Sequence, residues 1–151
     1  NTLPSAIPAV FWYHKQWREY ELWRYQKGLE AFNAGEDRRG AGWERASWTS
    51  NQPGRIAGSV MIGKPGARLY LYNWDNMAYS RPEDVPADHR LHDVRLTVEG
   101  LADGAYRIEF WDPLAGRVAG GGEATVTNGL LSFGLPNFAQ ELAVKVIPAA
   151  G

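Results

Sequence analysis

Cysteine is absent from the 151 residues, which removes a disulfide framework, a thiolate nucleophile and any cysteine-based zinc site. Charge of one sign is lacking too. Sixteen Lys and Arg stand against seventeen Asp and Glu, for a net charge of −1, so nothing electrostatic points to nucleic acid or to an anionic membrane. No apolar run approaches the ~18 residues of a membrane-spanning helix. No charged-then-apolar leader opens the sequence at Asn1, and the expectation is a processed product or a piece of something longer. Gly120, Gly121 and Gly122 are followed by neither a helix start nor a Lys-Ser/Thr pair, so they make no phosphate cradle and read as a loop between short strands. No cofactor is expected.

Aromatic side chains are what the sequence has in excess. Seven Trp and seven Tyr serve either a large core or stacking surfaces for flat ligands such as sugar rings. The only helical pattern runs from Ala9 to Ala34, with Pro8 suited to its entry and Gly35 to the left-handed turn just past its end. At 100° per residue Phe11, Leu22, Tyr25, Leu29 and Phe32 form one stripe, and Tyr13, Trp17 and Tyr20 form another on nearly the opposite side. Trp12 and Trp23 lie between them. Each aromatic can bury roughly 150–250 Å², and exposed apolar patches beyond a few hundred Å² are rare on soluble monomers. One sandwich face cannot absorb both stripes, so the second should meet another body or a second copy. Gly28 in mid-helix costs about 1 kcal/mol relative to Ala and suggests close packing there.

Beyond a charged, glycine-containing connector the period switches to two. Val94, Leu96 and Val98 alternate with Arg95, Thr97 and Glu99, and Tyr106, Ile108 and Phe110 repeat the pattern. This is a sheet with one dry and one wet face. Strands are expected at 55–62, 67–73, 93–99, 105–112, 117–119, 123–127, 130–133 and 142–147. Lys64-Pro65-Gly66, Asp103-Gly104 and Asn128-Gly129 read as hairpin-type turns. Residues 76–92 make the one long loop, a candidate for a functional or interface role. The fold class expected is mainly β: an antiparallel β-sandwich of Ig-like, Greek-key type preceded by one long N-terminal α-helix. The division is 1–35 helix, 36–54 connector and 55–151 sandwich.

The helix with Ala31-Phe32-Asn33-Ala34-Gly35, then Tyr70-Leu71-Tyr72-Asn73-Trp74, Gly100-Leu101, Gly104, Tyr106, Trp111-Asp112 and Gly116, and finally Leu135-Pro136-Asn137-Phe138 with Leu142-Ala143-Val144-Lys145, resembles a known arrangement. It is the C-terminal end of bacterial (β/α)8-barrel glycoside hydrolases of the cellulase/mannanase clan, where the last barrel helix leads into a β-sandwich beside the barrel. The resemblance spans nearly the whole chain and marks an architecture rather than a substrate. It implies a secreted or periplasmic accessory portion that stabilises a catalytic barrel in the same or an associated polypeptide. Self-association through the helix is the other expected partnership. The family's two catalytic carboxylates sit at barrel-strand ends, and no residue here matches them.

Candidate sites follow from residue type. Trp43, Trp48, Trp74 and Trp111 are candidates for stacking on polysaccharide, in which case the chain is a carbohydrate-binding module; the competing role is packing against the helix or barrel. Tyr13, Trp17, Tyr20 and Trp23 are candidates for the interface with a barrel or partner. Asp75 and Asp112 read as turn residues. Glu109, beside Trp111, is the carboxylate on which a small self-sufficient hydrolase would depend. His14, His89 and His92 lack a clustered third ligand, so no metal is expected.

Overall fold

The computed structural model describes residues 21, 23–36, 39–79 and 82–149. Among them lie one helix, α1 (Trp23–Asn33), and nine strands: β1 (Glu44–Arg45), β2 (Trp48–Ser50), β3 (Ile56–Gly63), β4 (Gly66–Asn73), β5 (Arg95–Glu99), β6 (Gly104–Asp112), β7 (Arg117–Val126), β8 (Leu130–Gly134) and β9 (Glu141–Pro148). The fold is mainly β, and every strand pairing is antiparallel. A six-stranded sheet runs β1-β3-β4-β9-β6-β7 and a three-stranded one β2-β5-β8. The last strand, β9, therefore sits between β4 and β6, and the connection that reaches it from β8 crosses between the sheets.

The core lies between the sheets. Leu69, Leu71, Val144, Val146 and Ile108 point inward from the larger sheet, and Leu96, Val98, Leu131 and Phe133 meet them from the smaller. Each fully buried aliphatic side chain stabilises by about 1.5–3 kcal/mol. Tyr106 ends this core with its ring buried and its hydroxyl donating to Ala102 O at 2.9 Å, the arrangement of a tyrosine corner.

α1 lies on the outer face of the larger sheet, and two observations qualify the helix expected over 9–34. Glu21 has φ 49°, outside the helical region, so a continuous helix does not run through it. Within α1 the buried residues are Gly28 and Phe32, with Tyr25 half-buried and Leu29 exposed. The dry side is turned away from Leu29 towards Gly28, because backbone meets backbone there. A Cβ on Gly28 would fall 1.8 Å from Pro113 O, and the Gly116 Cα lies just beyond. Gly35, at φ 75°, closes the helix as expected. The second stripe of Tyr13, Trp17 and Tyr20 lies outside the described residues.

The β pattern departs from expectation in three places. β7 is one strand in place of two, with Gly120, Gly121 and Gly122 paired to Phe110, Glu109 and Ile108. Ladder hydrogen bonds need no side chain, and a bulge between Phe110 and Trp111 absorbs the extra residue. Residues 36–54 supply β1 and β2 to the two sheets. Asp103-Gly104 is a corner between sheets, since β5 and β6 do not pair. Asp103 instead accepts from Asn128 N at 3.1 Å and Gly129 N at 2.8 Å. It thereby fixes the Asn128-Gly129 turn, both of whose residues have positive φ, as a tight two-residue hairpin requires.

Candidate functional site on the outer face of the larger sheet

The outer face carries alternate residues of β4, β9 and β6. Where α1 ends, Glu36 drops onto that face and its Oε1 accepts from Arg68 Nε at 3.0 Å, from Arg68 Nη2 at 2.9 Å and from Lys145 Nζ at 2.9 Å. Arg68 and Lys145 are directly opposite one another on β4 and β9 and retain only 5% and 7% of their exposure. Aromatic rings close the cluster. The Arg68 guanidinium lies 5.3 Å over the Trp43 ring, and Lys145 Nζ is 4.8 Å from Phe32 and 4.9 Å from Trp111. Phe32 and Trp111 meet edge to face at 5.4 Å. Burial by itself would raise the Glu36 carboxyl, but the hydrogen bonds from Lys145 and Arg68 outweigh it and hold the group below the ordinary carboxylate range.

Further along the same face, Tyr70 and Tyr72 follow Arg68 on β4, opposite Ala143 and Glu141 of β9. The nearby Tyr70 hydroxyl tends to lower the Glu141 carboxyl. Burial, with the nearby Asp112 charge, nevertheless keeps Glu141 above the usual range. Burial beside Glu141 raises both Tyr70 and Tyr25. β4 then leads into the 3-10 turn Trp74–Asn76, capped by Asn73, whose side chain accepts from Asp75 N. Trp74 is 62% exposed, with its ring 5.8 Å from that of Tyr72 at a tilt of 40°.

The four candidate tryptophans thus separate. Trp111 packs under α1 with its Nε1 donating to Glu109 Oε2 at 3.0 Å, Trp43 covers Arg68, and Trp48 packs against the core. Trp74 alone of the four is exposed. Trp23, 38% exposed, has Arg24 and Lys27 at 5.5 and 4.9 Å from its ring and borders a groove of about 440 Å³ between α1 and the turn at Leu114 to Gly116.

The carboxylates are occupied. Asp112 Oδ1 accepts from Leu114 N and Ala115 N, the turn role expected of it, and Asp75 pairs with Arg55 at 2.9 Å. Glu109 holds Arg107 at 2.6 Å as well as the Trp111 indole. His89 serves the loop through its backbone, its carbonyl accepting from Asn73 and Asn76. His92 O accepts from Gln52 at 2.6 Å, and His14 lies outside the described residues. Among the described residues no three His, Asp or Glu gather as metal ligands.

Sequence reasoning missed Glu36, Arg68, Lys145 and Glu141. The available signal was phase: Arg68 and Lys145 fall at alternate, outward positions of strands otherwise apolar. No protein-family model matches the chain, and no curated protein matches it either.

Proposed function

We propose that the chain is the non-catalytic C-terminal β-sandwich portion of a secreted glycoside hydrolase acting on polysaccharide, with α1 as the last helix of the catalytic barrel. The observation that carries this is the one-sided burial of α1. Gly28 and Phe32 face the sandwich, whereas Trp23 and Leu29 keep 38% and 36% exposure. Glu36, clamped between Arg68 and Lys145, fixes the helix end at a defined place on the sheet. That geometry suits a part whose work is mechanical, holding a helix so that its other side can be buried by a second body.

Sedimentation velocity across a concentration series, with hydrophobic-dye binding, tests this reading. Self-association or dye uptake is the expected result. A clean monomer that binds no dye contradicts it, and so does glycosidase turnover abolished by Glu109→Gln. A second reading, a carbohydrate-binding module, is favoured by Trp74, 62% exposed with the half-buried Tyr72 ring beside it. Retardation in polysaccharide-containing native gels separates the two.

A further inference from the structure

The half of the larger sheet's outer face that runs on beyond the Arg68–Lys145 pair has the makings of a ligand strip. Tyr70 and Tyr72 occupy alternate positions of β4, about 7 Å apart at ~3.4 Å per residue, and Trp74 opens the 3-10 turn that follows, its ring 5.8 Å from that of Tyr72. Tyr70 is 39% exposed and Trp74 62%. Their flank on β3 is low: Ser59 stands opposite Tyr70 and Ala57 opposite Tyr72. Cross-strand partners share a face, so the rings on β4 stand above a low shelf of small side chains on β3. Beside Trp74, the Arg55 and Asp75 side chains pair at 2.9 Å and are each nearly half exposed. Together with the Tyr72 and Ser59 hydroxyls they offer donors and acceptors along the strip.

We propose that the strip Tyr70–Tyr72–Trp74, with the low Ala57–Ser59 shelf beside it, binds a neutral glycan chain lengthwise. This rests on the carbohydrate-binding reading and gives it a place and a ligand class. Aromatic faces take the C–H face of a pyranose while neighbouring polar groups take its hydroxyls, and a strip this long engages several sugar units. The charge around it selects for neutrality. Arg55 and Asp75 cancel, Arg68 and Lys145 at the strip's end are buried against Glu36, and Glu141 stands opposite Tyr72, so none of these groups offers an open cation to a carboxylated or sulfated polysaccharide. The same lack of an open cation disfavours an acidic protein surface.

The test is affinity electrophoresis of the full chain in gels containing soluble β-glucan, galactomannan, xylan or polygalacturonate, backed by tryptophan fluorescence. At least one neutral polysaccharide is expected to retard the protein and polygalacturonate to leave it unmoved. Trp74→Ala is expected to weaken retardation about tenfold, the loss of one aromatic contact, and Tyr72→Ala by a similar factor. Trp74 is too exposed to threaten folding, which near-ultraviolet circular dichroism checks. Retardation unchanged in both variants removes this site while the carbohydrate-binding reading stands. No retardation by any neutral polysaccharide removes both. Preference for polygalacturonate, or concentration-dependent association abolished by Trp74→Ala, overturns the proposal in favour of an acidic ligand or of a second copy.

Discussion

Glu36 Oε1 and Lys145 Nζ meet at 2.9 Å, although strands β1 to β8 lie between them in sequence. The contact ties the end of α1 to the central strand of the larger sheet, and Arg68 completes it from β4. Two cations and one carboxylate share a nearly dry space, with Glu36 Oε2 buried and without a hydrogen-bond partner. Glu36→Gln would therefore leave two buried cations uncompensated, and removing one partner of a buried pair costs about 3–5 kcal/mol. Urea unfolding should show a correspondingly lower midpoint. A midpoint unchanged from the parent protein would mean that the cluster contributes nothing to stability.

Two carboxylates on this face respond to pH in opposite senses. Glu36 titrates lower when folded than when unfolded, so its contribution is present above the unfolded carboxyl range and disappears as pH falls through the folded value. Glu141 titrates higher when folded, so it favours the folded state in acid and loses that benefit as pH rises through its folded value. Glu141→Gln should therefore raise the melting temperature near neutral pH. The gain should shrink on acidification towards about pH 4, the ordinary carboxyl range. A gain independent of pH would point to packing instead of charge.

Gly28 offers a reversal of sign. In an unconstrained helix interior, Gly→Ala stabilises by about 0.4–1 kcal/mol. Here the new Cβ would sit 1.8 Å from Pro113 O, a backbone atom that cannot rotate away. Gly28→Ala should destabilise by about 1–3 kcal/mol, as overpacking does, and hasten proteolysis within α1. Gly122→Ala, where a Cβ meets nothing within 4 Å, is the control and should leave both measurements close to the parent.

The sandwich was readable where side chains alternate. Val94 to Val98 and Tyr106 to Phe110 announce their inward faces, and all but Val94, which immediately precedes β5, lie in strands of the observed sheets. β1 and β2 were not readable, because two or three residues carry no period. β7 was hidden by its glycines, which pair through backbone alone. The cluster is harder still. Glu36 follows a helix cap and Lys145 interrupts an apolar run, yet only the fold brings them together. Of the tryptophans, sequence supplied the chemistry, and the sheet's register decided that Trp111 turns under α1 while Trp74 faces outward.

The loop between β4 and β5 hangs on two fully buried asparagines. Asn76 Nδ2 donates to Ala139 O at 2.8 Å and His89 O at 2.9 Å, and Asn73 Nδ2 reaches the same carbonyls at 3.2 and 3.1 Å. These carbonyls belong to the loop's far end and to the segment before β9, so the amides staple the loop to the sandwich. Asn76→Ala removes two of four donations and should cost about 1–3 kcal/mol, the penalty for buried groups left unpaired. Asn76→Asp should cost more, because a carboxylate in the same place donates nothing and faces two carbonyl oxygens. Limited proteolysis should locate the new cleavages within residues 77–92 for both variants, ahead of global unfolding. Cleavage spread evenly over the sandwich would show that the asparagines support the whole fold and not the loop.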